Sequence, residues 1–134
     1  MTQAKRIATS LLLLRLSVFV VMLMWTLDKF VNPGHASRVL ENFFGISGFG
    51  EAAFLIIGAL EMLLILAFVT GSWKRLSYGL ILVLHAASTF VSYAQYMDPF
   101  NNLLFFAAWP MLAACVTLYA LRDLDTIAVT GLGK

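Results

Sequence analysis

Three ionisable residues, Arg15, Glu61 and His85, stand inside long apolar stretches of the chain, where their side chains could hold a charge or carry a proton. Glu61 is the clearest case, because it interrupts the apolar run LIIGALEMLLIL at positions 55–66. A charge in a hydrocarbon environment is costly unless it is paired, and such residues often mark ion, proton or ligand sites. The three residues therefore predict either a buried ion pair that holds helices together or a functional site.

The composition predicts a membrane protein. Of the 134 residues, 61% are hydrophobic and only 12% are charged, whereas soluble domains are about half apolar and about a quarter charged. We expect one all-α membrane domain over residues 1–134, with a soluble helical bundle as the alternative. The net charge of +2 is too small for a nucleic-acid-binding protein.

Four apolar segments are long enough to be transmembrane helices, and they predict a four-helix bundle. Each spans roughly 19 to 22 residues, which suffices to cross a hydrocarbon core of ~30 Å. The predicted helices cover residues 7–27, 49–70, 76–94 and 101–121. We expect the first to be retained rather than cleaved as a signal peptide, because Arg15 interrupts its apolar core.

The basic residues predict the orientation of the bundle. Lys5, Arg6, Lys74 and Arg75 cluster on one side of the predicted helices, so the positive-inside rule places both termini in the cytoplasm. The loop at residues 28–48 then faces outward. Its portion Ala36–Phe44 is either an amphipathic interfacial helix or a simple connector.

Counting residues from the cytoplasmic ends of the helices puts Arg15, Glu61 and His85 at one depth. Each lies ~14 to 15 Å inside the bundle at a helical rise of 1.5 Å per residue. We therefore expect Arg15 to face Glu61, with Gly58 letting a neighbouring helix approach. The layer is either a structural ion pair with a core histidine, or a proton relay in which Glu61, His85 and Arg15 are the candidate catalytic residues.

Polar residues also predict a ligand site between this layer and the outer surface. His85, Ser88, Ser92 and Gln95 recur at helical spacing, although serines in such helices often bond only to their own backbone. Lys29 and Glu51 fall where their helices reach the outer boundary. Together these side chains predict an outward-facing cavity for a small amphipathic molecule, and a quinone headgroup would suit it.

Several classes of site are excluded by what the chain contains. A single cysteine, Cys115, excludes an intramolecular disulfide and a CxxC redox pair. Two histidines are too few for a conventional metal cluster, and we predict no metal site. Motifs of nucleotide binding and hydrolytic catalysis are absent as well. Any redox role must therefore use a bound cofactor or a partner protein.

The order of these features resembles the DoxX family of small bacterial four-helix membrane proteins. The matching residues, spread over nearly the whole chain, are Arg15-Leu16, Lys29-Phe30, Pro33, Glu61, Gly71, Arg75 and Leu124-Asp125. The resemblance implies a multi-pass protein of the bacterial inner membrane. It also implies a role in a redox system, since DoxX-like proteins include the membrane subunit type of thiosulfate:quinone oxidoreductase.

The leading hypothesis is thus a membrane subunit that interacts with quinone or anchors a partner dehydrogenase. The alternatives are a non-catalytic protein that binds or transports a lipid or small molecule, and a structural assembly factor. The sequence names no substrate or electron donor, and it leaves oligomerisation open.

Overall fold

A computed structural model describes residues 1–133, and this part of the chain is helical without strands. The α-helices are α1 (Gln3–Val31), α2 (Pro33–Phe44), α3 (Glu51–Thr70), α4 (Lys74–Val91), α5 (Tyr93–Tyr96) and α6 (Ala108–Ala120). Short 3-10 turns cover Pro99–Asn101, Leu103–Ala107 and Arg122–Leu124. All-helical architecture is the class that the sequence predicts.

Three helical segments are long and apolar enough to cross a membrane by length and composition: α1, α3 and the segment Leu103–Ala120, which joins a 3-10 turn to α6. Helix α4 has 18 residues but is not among these three segments; it begins with Lys74 and Arg75 and carries several polar side chains. The structure thus supports a membrane protein of helical class.

Helix α1 is longer at both ends than the predicted segment 7–27. Thr2 caps its start by accepting a hydrogen bond from the backbone N–H of Lys5. Asn32 ends it and also caps α2, whose first residue is Pro33. Proline at a first helical position has its fixed φ angle already set for the helix. A helix is therefore present in this loop as α2, and it starts three residues before the portion Ala36–Phe44 considered above.

The bundle consists of two antiparallel pairs, in which α1 packs against α3 and α4 packs against α6. A cluster of buried side chains joins the pairs: Leu11, Val18, Met22, Ile65, Phe68, Tyr78, Ile81, Cys115 and Leu118. Gly58 lies against the ring of Phe30, where a Cβ atom would come within 2.9 Å of it. The expected close approach at Gly58 is confirmed, with a side chain of α1 as its neighbour.

The two ends of the bundle differ. One end, called here the α2 end, carries α2 and the start of α3. The opposite end, called here the tail end, carries the start of α1, the α3–α4 turn and the C-terminal segment 121–133. Backbone hydrogen bonds from Val129 to Thr70 and from Trp73 to Leu132 fasten that segment to the turn.

Candidate functional site

A cavity of about 940 Å³ opens between the two helix pairs towards the α2 end. Side chains from all six α-helices and the 3-10 turn before α6 line it, and most of them are apolar. Helix α2 lies across it with its apolar face, including Val39, Leu40 and Phe43. The polar side chains in its wall are Ser17, Asp28, Lys29, His35, Glu61, His85, Ser88, Thr89, Ser92 and Tyr96.

Lys29 and Glu61 form an ion pair in the cavity wall. Their Nζ and Oε2 atoms are 2.8 Å apart, and both side chains are 19% exposed. The Thr26 hydroxyl lies 3.3 Å from the same carboxylate oxygen, and Lys29 also donates to the Trp25 carbonyl at 3.3 Å. Glu61 is therefore held in place by α1 and neutralised by the lysine.

A second pair lies nearer the mouth of the cavity. His35 Nδ1 is 2.5 Å from Asp28 Oδ2, which links α2 to the end of α1. The two pairs together bring two carboxylates, one lysine and one histidine to the cavity. Each carboxylate at the cavity thus already has a partner, so neither is left free to pair with a ligand.

His85 lies deeper in the same cavity and is 1% exposed. Its Nε2 is 2.9 Å from the Ala108 carbonyl and 3.2 Å from the Thr89 hydroxyl oxygen. The indole of Trp25 stacks on the imidazole, with ring centroids 6.0 Å apart and planes 25° apart. The ring is thus fixed by α6 through one nitrogen and by α1 through its face.

The predicted polar face of α4 only partly lines the cavity. Ser88 and Ser92 lie in its wall, but both hydroxyls donate to carbonyls four residues earlier. Gln95 does not line it, because α4 ends at Val91 and the short α5 starts a new helical register. Tyr96 lines the cavity in its place. Burial raises the pKa of its phenolic hydroxyl.

Glu51 also lies outside the large cavity. It borders a separate depression of about 310 Å³ with Pro33, Gly34, Ser37, Phe49 and Phe54. Its position in the first turn of α3 puts it beside the start of α2 rather than under it. Of the five predicted ligand-binding residues, Lys29, Ser88 and Ser92 therefore line the large cavity, and Glu51 and Gln95 do not.

Arg15 does not face Glu61, and the predicted pairing is wrong. Its Nη1 is 2.6 Å from Asp125 Oδ2, and it also donates to the Tyr78 hydroxyl at 3.0 Å. Its Nη2 donates to the Ile127 carbonyl at 2.5 Å. The Tyr78 hydroxyl in turn donates to Asp125 at 2.6 Å, which closes a buried network at the tail end.

The prediction was wrong because it assumed an incorrect shift of α1 along α3. The prediction placed the start of α1 level with the end of α3, but Arg15 Nη1 lies 3.5 Å from a Cβ built on Gly71. Glu61 is level with Thr26 instead, which is eleven residues further along α1, or ~16 Å. Side chains also lean towards the N-terminus of their own helix, and this separates Arg15 from Glu61 further because α1 and α3 run in opposite directions.

Sequence reasoning did not predict how four residues would combine in these two sites. Asp125 and Tyr78 complete the network around Arg15, and Asp28 and His35 form the pair at the mouth. Asp125 carried a signal, since it belongs to the Leu124-Asp125 pair of the family resemblance. The spacing of Asp28 and His35 carried none, because Asn32 and Pro33 interrupt the helix between them.

No set of three or more His, Cys, Asp and Glu side chains within residues 1–133 is arranged to hold a metal ion. Cys115 is buried in the core between the helix pairs rather than in the cavity wall. The cavity wall supplies hydrogen-bonding groups, two paired carboxylates and aromatic surfaces.

Comparisons with models of protein families, with curated proteins and with solved structures find no match to this chain.

Proposed function

We propose that the chain is a DoxX-like membrane protein that binds a neutral, lipid-soluble molecule with a quinone-type headgroup in the large cavity. The observation that carries this proposal is the cavity itself, whose apolar walls enclose Glu61, Lys29 and His85. Ligand sites in proteins commonly combine apolar surfaces with a few placed polar groups. A volume of about 940 Å³ is ample for such a headgroup and part of its chain.

The charges in the wall favour a neutral ligand. Lys29 is paired with Glu61 and Asp28 with His35, so a charged ligand would lose hydration without gaining an unpaired partner. Burying such a charge is expensive in an apolar site. A quinone or quinol has no net charge, and its oxygen atoms can use hydrogen bonds at the wall.

The membrane arrangement is part of the proposal. We infer that α4 spans the bilayer together with the three more apolar segments, with the α2 end outside and both termini in the cytoplasm. The exposed Lys5, Arg6 and Arg75 at the tail end support this orientation through the positive-inside rule. The cavity then opens to the outer leaflet of a bacterial inner membrane, where it can exchange a lipid-soluble ligand.

In a redox system, this protein would present the bound headgroup to a partner oxidoreductase. Glu61 and His85 are the residues that could exchange protons with it, since both line the cavity. Arg15 has no part in that step, because it lies in the network at the tail end. Quinone-dependent electron transfer should therefore fall in membranes that carry Glu61→Gln, while Glu51→Gln at the same protein level keeps the wild-type rate.

A ligand series tests the binding proposal directly. The wild-type protein in nanodiscs would be titrated with a decyl-substituted benzoquinone, a decyl trimethylammonium cation and decanoate, with the fluorescence of Trp25 as one signal. We expect the neutral quinone to bind at least about tenfold more tightly than either ion, a difference of about 1.4 kcal/mol. Equal or tighter binding of an ion would contradict the proposal.

The second candidate is a non-catalytic protein that binds or transports a lipid. Two observations favour it. The ionisable groups are paired with each other, and the hydroxyls of Ser88 and Ser92 donate to backbone carbonyls of their own helix. Native mass spectrometry of the gently extracted protein separates the two functions. A co-purified quinone or dehydrogenase supports the redox role, and a phospholipid supports the second candidate.

A further inference from the structure

The hydrogen-bond partners of His85 determine which of its nitrogens carries the proton. Nε2 is 2.9 Å from the Ala108 carbonyl, an oxygen that can only accept, so Nε2 must donate. The Thr89 hydroxyl donates to the His85 carbonyl at 2.8 Å and so presents its lone pairs to Nε2 at 3.2 Å. A neutral imidazole protonated at Nε2 leaves Nδ1 as an acceptor.

Nδ1 has no hydrogen-bond partner in the described part of the chain, residues 1–133, and it is buried. A buried acceptor without a partner costs free energy that a donor would recover. The imidazole lines the cavity, so a bound molecule is the available source of that donor.

We propose that His85 selects ligands that carry a hydrogen-bond donor, so that the cavity binds a lipid-soluble hydroquinone or phenol in preference to the corresponding quinone. This inference rests on the proposed function and names the ligand form that its site prefers. A quinone carbonyl can only accept, and it would direct its lone pairs at the lone pair of Nδ1. A hydroquinone hydroxyl donates to Nδ1 and satisfies it.

Trp25 lies beside the imidazole of His85 and also lines the cavity. Nδ1 is covered by its surroundings, so a ligand reaches it only when a neighbouring side chain moves. The Trp25 indole stacks on the face of the imidazole and is 44% exposed, so a ligand that reaches His85 lies close to the indole. Binding therefore changes the environment of Trp25 and its fluorescence.

Tyr96 does not supply the same selection. Its buried hydroxyl also lacks a partner within residues 1–133 and lines the cavity, but a phenolic hydroxyl both donates and accepts. It can therefore pair with a quinone or with a hydroquinone, so discrimination between donors and acceptors falls to His85.

The test compares three ligands with the same decyl chain on the wild-type protein in nanodiscs, under anaerobic conditions. They are the benzoquinone, its hydroquinone and the di-O-methyl ether of that hydroquinone, which has a reduced ring but no donor. We expect the hydroquinone to bind about tenfold more tightly than the other two, in line with one net hydrogen bond. The ether separates the effect of the donor from that of the ring.

A variant assigns the preference to His85. His85→Phe keeps an aromatic ring but removes the acceptor, so the three ligands should bind with equal affinity. Thr117→Val, on the half-buried face of α6 outside the cavity wall, is the matched control and should keep the preference of the wild type. The wild-type series stands on its own if His85→Phe does not fold.

The outcomes separate this inference from the proposed function. Equal binding of all three ligands by the wild type overturns the selection by His85 and leaves the cavity as a quinone-type site. Tighter binding of the quinone, or a preference that persists in His85→Phe, also overturns it. If none of the three ligands binds, the proposed function is overturned together with the inference.

Discussion

The tail end and the α2 end both pair charges across helices, but they do so in opposite surroundings. Arg15 and Asp125 are 2% and 0% exposed at the side chain, and the Tyr78 hydroxyl and the Ile127 carbonyl complete their network. Lys29 and Glu61 are each 19% exposed and face a cavity. An ion pair is thus part of a closed, buried network at one end of the bundle and part of a cavity wall at the other.

The difference follows from what surrounds each pair. At the tail end the C-terminal segment covers the gap between α1 and α4 and supplies Asp125 and the Ile127 carbonyl. At the α2 end only the amphipathic α2 lies across the gap, so space remains beneath it. A buried pair that is broken leaves an uncompensated charge, whereas a partly exposed one is relieved by water.

The largest effect is expected for Asp125→Ala. This change leaves the Arg15 guanidinium buried without its charge partner, which should lower the free energy of unfolding by about 3–5 kcal/mol. Unfolding in mixed detergent micelles measures it. Asp123→Ala is the matched control, since Asp123 is exposed two residues away and its loss should cost less than about 0.5 kcal/mol. Equal stability of the two variants would refute a closed tail end.

The next effect concerns the glycine that ends α3. Gly71 has a φ of +75°, and a Cβ there would meet the Ala128 Cβ at 2.8 Å. Gly71→Ala should therefore destabilise the protein by about 1–3 kcal/mol through backbone strain and overpacking. Gly34→Ala at the α2 end is the control, because its Cβ would meet only ordinary contacts at 3.7 Å or more. A larger loss for Gly34→Ala would reverse the comparison between the ends.

Glu61→Gln should affect ligand binding more than stability. It leaves Lys29 charged and unpaired in the cavity wall, which should weaken binding of a neutral decyl quinone by about tenfold, or about 1.4 kcal/mol. The free energy of unfolding should change by less than about 1 kcal/mol, because the pair is partly exposed. Glu51→Gln, on the same helix but outside the cavity, should bind as the wild type does. A stability loss as large as that of Asp125→Ala would make the two ends equivalent.

The smallest effect is expected at the mouth of the cavity. His35 and Asp28 are 50% and 33% exposed at the side chain, so water and salt screen their interaction. A double-mutant cycle with His35→Ala and Asp28→Ala should give a coupling energy below about 1 kcal/mol. The same cycle on Arg15 and Asp125 should give a larger value, and the reverse order would contradict the account.

The sequence predicts much of this fold because the length of an apolar segment and the residues that start or end a helix are local properties. The apolar segments, the end of α1 near Pro33 and the helix within residues 28–48 all follow from composition and from single residues. Lys29 was expected at the cavity for the same reason, since the end of an apolar helix locates it.

The pairing of charges depends on how far each helix is shifted along its neighbour, and no local pattern gives that shift. Arg15 pairs with Asp125, 110 positions away and in an irregular segment after the last helix, where hydrophobic periodicity carries no information. The break at Ser92 likewise removed Gln95 from a face that uninterrupted helical spacing had predicted.

The most direct test of the proposed cavity is photo-crosslinking with an azido-substituted decyl quinone in membranes that contain the wild-type protein. The account predicts labelled peptides from α2 and from the 84–92 segment of α4, with labelling suppressed by excess unmodified decyl quinone. Labelling confined to exposed positions outside the cavity, such as Leu13 and Leu60, or labelling that the competitor does not reduce, would contradict a binding site between the helix pairs.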